Sequence, residues 1–113
     1  MIIKQGDIIF SYFDKGVGHE FEGPRPVIVI ESDVFIKKSD IITTIPLTSN
    51  LKNSINDDII LKCDKINNMD KDSVIKVDYI TAIDQSRFIR LIGVIDKETL
   101  EKIKKYLKKH LDL

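Results

Sequence analysis

The sequence predicts a small, strongly curved antiparallel β-barrel with one helix at its C-terminal end, so the fold class is mainly β with α. Five or six short segments rich in β-branched and aromatic residues alternate with polar or glycine-containing turns, which is typical of a β core. The last segment has instead the periodicity of an amphipathic helix. The chain has 113 residues, of which 42% are hydrophobic, so residues 1–113 are expected to form one domain with its own core.

The predicted strands are justified in chain order. Residues 7–13 form the first strand, because β-branched and aromatic residues follow a Gln-Gly break. Residues 26–31 form the second, and their run of β-branched residues predicts burial on both faces of the sheet. Residues 41–45 form the third, which Pro46 is expected to end. The remaining candidates are residues 58–62, 73–80 and 88–91.

The candidate strand 73–80 alternates apolar and polar residues. Successive side chains of a strand point to opposite faces, so Lys76 and Asp78 are expected to point the same way. Residues 81–87 should then lead into a turn that is held by an Asp84 cap and an ion pair of Arg87.

Asp96 is the expected N-cap of the C-terminal helix, and Glu98 would lie near the positive end of the helix dipole. Lysines occupy much of this helix and are interpreted as a solvated face. The apolar positions share one face, which should dock on the barrel or on a second copy of the chain: Leu100, Ile103, Leu107 and Leu111.

Composition limits the possible functions. Eighteen basic and eighteen acidic residues give a net charge of zero, so any nucleic-acid site must be local. Cys63 is the only cysteine, which excludes an internal disulfide, and with two distant histidines it makes no ordinary zinc site, so we expect neither metal nor cofactor. No apolar run approaches the ~18 residues of a membrane span, and no signal peptide is visible. We therefore expect a cytoplasmic protein without a membrane partner.

The most informative segment is residues 18–30, Gly-His-Glu-Phe-Glu-Gly-Pro-Arg-Pro-Val-Ile-Val-Ile. Its first part lies in a polar connection, residues 14–25, that is long enough to be a binding loop, and its last part is the start of the second strand. Arg25 stands between Pro24 and Pro26, which favour extended backbone. Little backbone entropy is therefore lost when its guanidinium is positioned. Arg25 either marks the start of a strand, with its side chain in water, or binds an anion.

This segment resembles the signature of the MazF/PemK/Kid toxins, which are small bacterial endoribonucleases of toxin–antitoxin pairs. The resembling pattern is Gly-His-Glu, then Gly-x-Arg-Pro, then a Val/Ile run. Thr48 matches the threonine of the family's Pro-x-Thr motif, and residues 80–87 match Ile-x-x-Ile-Asp-x-x-Arg. The resemblance extends from Gly6 to the final helix. It implies an SH3-like barrel of the CcdB/PemK toxin type, with a short inserted helix near residues 33–39 or 50–55.

The resemblance also implies a function. The protein would be a homodimeric, sequence-specific endoribonuclease that cleaves single-stranded RNA, namely mRNA, and is silenced by a cognate antitoxin. We expect a disordered, acidic-hydrophobic segment of the antitoxin to fold across the Arg25 region. Arg25 and Thr48 correspond to the catalytic pair. Because an arginine keeps its charge at any workable pH, we interpret Arg25 as an electrostatic clamp on the phosphate.

The substrate-binding candidates are His19, Glu20, Ser49, Asn50, Lys76 and Asp78. On chemical grounds His19 is the attractive proton carrier, since an unperturbed histidine has a pKa of about 6.5. Asp78 matches an aspartate of the Kid branch, whereas Lys76 replaces an arginine found there. No metal is needed, because the 2′-hydroxyl of RNA can itself attack the phosphate and leave a 2′,3′-cyclic phosphate and a 5′-hydroxyl.

Other interpretations stay open at this point. Ser, Thr and Asn at positions 48–50 are also typical local caps of the backbone. For the whole chain, the alternatives are a CcdB-like toxin that binds DNA gyrase, or an interaction module that has lost activity. The chain has no Trp, which CcdB-like toxins use for that contact, and it keeps Arg25 and Thr48. An RNA cleavage assay separates the three possibilities.

Overall fold

The computed structural model describes residues 1–13, 23–55 and 57–113. In these residues seven strands form one antiparallel sheet, and two α-helices accompany it. The elements in chain order are β1 (Asp7–Phe13), β2 (Gly23–Val29), α1 (Asp33–Ile36), β3 (Ile41–Thr48), β4 (Ile59–Leu61), β5 (Ser73–Ile75), β6 (Thr81–Asp84), β7 (Phe88–Val94) and α2 (Lys97–His110). Short 3₁₀ helices cover Leu51–Asn53, Val77–Tyr79 and Gln85–Arg87.

The sheet has the strand order β4-β5-β3-β2-β1-β7, and β6 also pairs with β3. This arrangement confirms the predicted class, mainly β with a C-terminal helix. The short helices α1 and Leu51–Asn53 lie where the resemblance implied an inserted helix. The described residues hold seven strands instead of five or six, because the segment 73–87 contains two strands.

Strand β3 does not end at Pro46, as the sequence predicted, but continues to Thr48. It pairs with β6 up to Thr44 and with β5 from Leu47 onward, so Pro46 lies where β3 changes partner. The carbonyl of Pro46 accepts a hydrogen bond from the Lys76 amide at 3.0 Å. Both backbone groups of one strand residue point to the same side, so the missing N–H of Pro46 faces the gap between β6 and β5. A proline in the middle of β3 therefore costs no ladder hydrogen bond.

The predicted strand 73–80 is wrong in its second half, since β5 ends at Ile75 and Val77–Tyr79 is a 3₁₀ helix. Strands β5 and β6 follow each other along the same edge of β3. Residues 77–80 therefore lie opposite the single residue Ile45 and must leave the ladder. Their alternating pattern gives no sign of this bulge, because Val77 is buried in the core as it would be in a strand.

Both faces of the central strands are covered. Alternate residues of β1 and β2 enter two different clusters, Ile8 and Ile28 on one side and Ile9 and Val27 on the other. The predicted burial of strand 2 on both faces is thereby confirmed for Val27, Ile28, Val29 and Ile30. Such double burial explains why this stretch has no polar alternation.

Helix α2 covers the first cluster. Ile103 is fully buried there, and Leu100, Tyr106 and Leu107 pack against the same cluster. The prediction that the apolar stripe docks on the sheet is confirmed for these positions. Leu111 is the exception, because it is the C-cap residue and its side chain is 50% exposed. No helix in the described part of the chain is long and apolar enough to cross a membrane.

Candidate functional site

A groove of about 460 Å³ opens beside the first residues of β2. Strands β1, β2, β3 and β7 form its walls together with the turn that precedes β5. We call it the Arg25 groove, and its lining consists of Phe10, Pro24, Arg25, Pro26, Leu47, Ser49, Asn68, Met69, Asp70, Lys71, Ser73, Arg90 and Ile92.

The backbone around Arg25 is extended, as its two neighbouring prolines predicted. Strand β2 begins at Gly23, whose φ of +75° favours glycine. From Gly23 to Pro26 the strand pairs with β1 alone, and its pairing with β3 starts at Val27. The prolines thus lie on a free strand edge, where a missing N–H costs nothing.

The guanidinium of Arg25 is fixed in the groove by the backbone of β3. Its Nη1 donates a hydrogen bond to the Leu47 carbonyl at 3.2 Å. This contact places the guanidinium beside the peptide that joins Leu47 to Thr48. The strand that carries the predicted catalytic threonine therefore also positions the predicted catalytic arginine.

Two further cations line the Arg25 groove, and the sequence alone did not indicate either. The Arg90 guanidinium lies 5.3 Å from the centroid of the Phe10 ring, within cation–π range. Phe10 and Arg90 are opposite each other in the β1–β7 ladder. Lys71 adds a third positive charge, and Asp70 is the one carboxylate among the described residues of the lining. In this described part of the groove, cations therefore outnumber carboxylates, although the whole chain has a net charge of zero.

The segment 48–50 has two roles: two of its side chains cap the backbone, and one lines the Arg25 groove. Thr48 Oγ1 accepts the Asn50 amide at 3.2 Å, and Asn50 Oδ1 accepts the Lys52 amide at 3.2 Å. The interpretation as local caps is therefore confirmed for Thr48 and Asn50. Ser49 is exposed and lines the Arg25 groove. Thr48 itself lies between two lining residues, Leu47 and Ser49.

Lys76 and Asp78 lie apart from the lining of the groove. Lys76 is 3% exposed, and its Nζ donates to Asp58 Oδ2 at 3.1 Å and lies 3.7 Å from Asp78 Oδ1. Burial by itself lowers the pKa of the Lys76 ammonium, but the hydrogen bond to Asp58 and the two carboxylate charges outweigh burial and raise it above its ordinary value. In this structure the pair anchors the 3₁₀ helix after β5, and its contact with substrate stays a prediction.

His19 and Glu20 belong to residues 14–22, which lie outside the described residues. The roles predicted for His19 and Glu20 therefore stay predictions. In residues 1–13, 23–55 and 57–113, no group of three or more His, Cys, Asp and Glu side chains is arranged to hold a metal ion.

The predicted turn after β6 is confirmed at Asp84. Its Oδ1 accepts the Ser86 amide at 2.9 Å, which caps the 3₁₀ helix Gln85–Arg87. Hydrogen bonds from Ser86, with a smaller contribution from the charge of Arg87, lower the pKa of the Asp84 carboxyl. Asp84 of the family-like Asp-x-x-Arg pattern thus has a structural role here, and the predicted ion pair of Arg87 stays a prediction.

The fold and the groove define a small, mainly β protein whose groove is lined by three cations. A family model described as PemK-like, MazF-like toxin of type II toxin–antitoxin system matches residues 4–111. The chain belongs to this family.

Solved structures of toxins share the fold. MazF (form I) from Deinococcus radiodurans has a TM-score of 0.84 at 18% identity, with 100% of this chain and 99% of that chain covered. The Mycobacterium tuberculosis toxin MazF-mt6 has a TM-score of 0.76 at 18% identity, covering 95% and 97%. A mycobacterial endoribonuclease in complex with its cognate antitoxin has a TM-score of 0.76 at 16% identity, covering 99% and 97%. Comparison with curated protein sequences found no match.

Proposed function

We propose that this protein is the toxin of a toxin–antitoxin pair and that it cleaves single-stranded mRNA in the cytoplasm as a sequence-specific endoribonuclease. The observation that carries the proposal is the guanidinium of Arg25, held by the Leu47 carbonyl in a groove with two further cations. Membership of the MazF/PemK family supports the same activity, and two mycobacterial structures with the same fold are described as endoribonucleases.

The proposed reaction uses the substrate's own nucleophile. The 2′-oxygen attacks the adjacent phosphorus, the bond from phosphorus to the 5′-oxygen breaks, and the proton lost from the 2′-hydroxyl is balanced by one donated to the leaving oxygen. The products are a 2′,3′-cyclic phosphate and a 5′-hydroxyl. Negative charge accumulates on the phosphoryl oxygens in the transition state, and a fixed donor stabilises such charge better than water does. Arg25 would supply a planar, permanently charged donor at this point.

Thr48 would assist through its hydroxyl. The Oγ1 of Thr48 already accepts the Asn50 amide, and a hydroxyl can donate its proton while it accepts another. Thr48 can therefore cap the backbone and donate to a phosphate oxygen at the same time. We assign contacts with the RNA around the cut to His19, Glu20, Ser49 and Asn50, and the candidates for proton transfer are His19 and Asp78.

The proposed partners are a second copy of the chain and a cognate antitoxin. Related structures include a MazE–MazF complex from Deinococcus radiodurans, with a TM-score of 0.77 at 16% identity. An acidic segment of an antitoxin would find three cations in the Arg25 groove, namely Arg25, Lys71 and Arg90. Antitoxin and RNA should then compete for the groove.

The test of the function is cleavage of a single-stranded RNA in EDTA, followed by end-group analysis of both fragments. We expect cleavage to persist in EDTA and to leave the cyclic phosphate and the 5′-hydroxyl. A matched substrate with a single 2′-deoxy nucleotide at the cut site should bind with similar affinity but stay intact, because only the nucleophile is removed. Loss of activity in EDTA, or cleavage of the deoxy substrate, would contradict the proposed mechanism.

A further inference from the structure

A second concave surface lies on the C-terminal helix and shares no residue with the Arg25 groove. Its volume is about 550 Å³. Helix α2 supplies most of its lining, and the chain around the start of β4 supplies the rest. We call it the α2 surface, and its residues are Asp57, Ile59, Lys102, Lys105, Tyr106, Lys109 and His110.

The α2 surface carries an excess of positive charge. Lys102 is partly neutralised by Glu98, whose carboxylate lies 3.6 Å from the Lys102 ammonium. Among the described residues, no carboxylate lies within ion-pair distance of Lys105 or Lys109. Asp57 is the single acidic residue of the lining. These two lysines are therefore available to an anionic ligand.

An aromatic pair lies beside these lysines. The ring centroids of Tyr106 and His110 are 5.9 Å apart, and their planes are inclined by 44°. Because Tyr106 and His110 are one helical turn apart, their rings form a row along the helix, and Lys105 and Lys109 form a second row beside it. Cations that follow a backbone, combined with rings on which bases can stack, are characteristic of sites for single-stranded nucleic acid.

We propose that the α2 surface is a second, sequence-independent binding surface for single-stranded RNA, which holds the strand outside the segment that is cut. Lys105 and Lys109 would contact phosphates, and Tyr106 and His110 would stack with a base. Only the choice of RNA as ligand rests on the proposed function. The neighbouring rings of Tyr106 and His110 favour RNA over an acidic peptide, because bases can stack on them and acidic side chains cannot.

The experiment compares two double variants of the full-length protein with equal loss of charge. Lys105→Gln/Lys109→Gln alters the α2 surface. Lys97→Gln/Lys108→Gln removes two exposed lysines of the same helix that lie outside the lining, and it serves as the matched control. Binding is measured by fluorescence anisotropy over a series of salt concentrations. The probe is a fully 2′-O-methylated single strand of about 24 nucleotides, which cannot be cut through a 2′-hydroxyl and is longer than one site of this kind.

For the α2 variant we expect at least about fivefold weaker binding than wild type. We also expect the slope of log K against log salt to become shallower by about 1.4, since each lost phosphate contact of a single strand contributes about 0.7. The control variant should keep the wild-type affinity and the wild-type salt slope. Equal RNA affinities of the two variants would overturn the proposal. It would also be overturned if the α2 variant lost affinity for poly-glutamate but kept its affinity for RNA. Because the probe is never cleaved, weaker binding of the α2 variant supports the second surface even if the cleavage assay fails.

Discussion

Arg25 is positioned by interactions that are largely independent of its own side chain. The two prolines and the β1 pairing fix its backbone, and among the described contacts a hydrogen bond to the Leu47 carbonyl holds the guanidinium. A substitution at this residue should therefore affect chemistry more than folding.

We predict that Arg25→Ala lowers the rate of RNA cleavage by at least about 10²-fold, the scale for removing one donor that stabilises transition-state charge. The measurement is single-turnover cleavage, with the unfolding temperature as a check on the fold. Arg25→Lys keeps the charge but loses the planar fork, so it should recover only part of the rate. A wild-type rate for Arg25→Ala would leave Arg25 as a marker of the start of β2.

Thr48 differs from Arg25 because it caps the backbone. Thr48→Ala should lower the cleavage rate by a similar or smaller factor, and it should also cost about 0.5–1.5 kcal/mol of stability through the lost hydrogen bond from Asn50. Thr48→Ser keeps the hydroxyl and should preserve both properties. Urea unfolding and the cleavage assay on the same preparations distinguish the two effects.

Lys76 gives a prediction about stability alone. The Asp58 side chain that it contacts is fully buried and also accepts the Ile55 amide at 2.8 Å. Lys76→Met should destabilise the protein by about 3–5 kcal/mol, because it leaves a buried carboxylate without its cation. Adding Asp58→Leu removes that charge and should recover much of the loss. Additive costs in denaturant titrations of the double variant would show that the pair is not coupled.

The residue-scale predictions from sequence succeeded where the information was local. The prolines around Arg25 and the caps at Asp84 and Asp96 depend on neighbours within a few residues. The cation–π pair of Phe10 and Arg90 depends on the β1–β7 pairing across most of the chain. Lys76 and Asp78 lie close together, but the 3₁₀ helix Val77–Tyr79 brings them there and not the strand alternation that predicted it. The pattern also gave no indication of Asp58, the third member of the cluster.

At the scale of elements, the periodicity of α2 was sufficient to predict both its position and its buried face. Asp96 caps the helix by accepting the Thr99 amide at 2.8 Å. The ends of the strands were harder to predict. Pro46 is compatible with β3 only because β6 and β5 share that edge, and no local pattern contains this information.

We predict that Asp96→Ala destabilises the protein by about 0.5–2 kcal/mol at neutral pH, while Asp96→Asn, which still caps, costs less. Hydrogen bonds from Thr99 lower the pKa of the Asp96 carboxyl below its ordinary value of 3.8. A lowered pKa means that the carboxylate stabilises the fold above pH 3.8 and that this contribution is lost as the pH falls through the folded-state pKa. The difference between wild type and Asp96→Ala should therefore shrink in acid, as measured by urea unfolding at several pH values.

At the scale of the whole molecule, β7 forms one edge of the sheet and carries exposed apolar side chains. Ile89 and Leu91 are 40% and 49% exposed, and among the described residues no other strand pairs with that edge. A free edge with apolar side chains favours association with another chain. We infer that β7 contributes to the proposed homodimer.

The expected particle has about twice the 13.0 kDa mass of one chain at micromolar concentration, as measured by sedimentation. Leu91→Lys should shift the equilibrium toward monomer, because a charge replaces an apolar contact. Ile60→Lys is a matched control, since Ile60 is similarly exposed on β4, at the opposite end of the strand order. A monomeric wild type would exclude the dimer, and equal effects of both variants would exclude β7 as its interface.

The composition of the Arg25 groove has a consequence for how quickly it forms. Phe10 and Arg90 meet only when β1 pairs with β7, so the groove is completed by a contact between distant parts of the sequence. Contacts of this kind slow folding, and β-rich domains commonly refold in milliseconds to seconds. A refolding chain should regain RNA cleavage in its slowest phase, together with the last native pairing. Species with an incomplete sheet would then be harmless to RNA, and the toxin would become active in a single step.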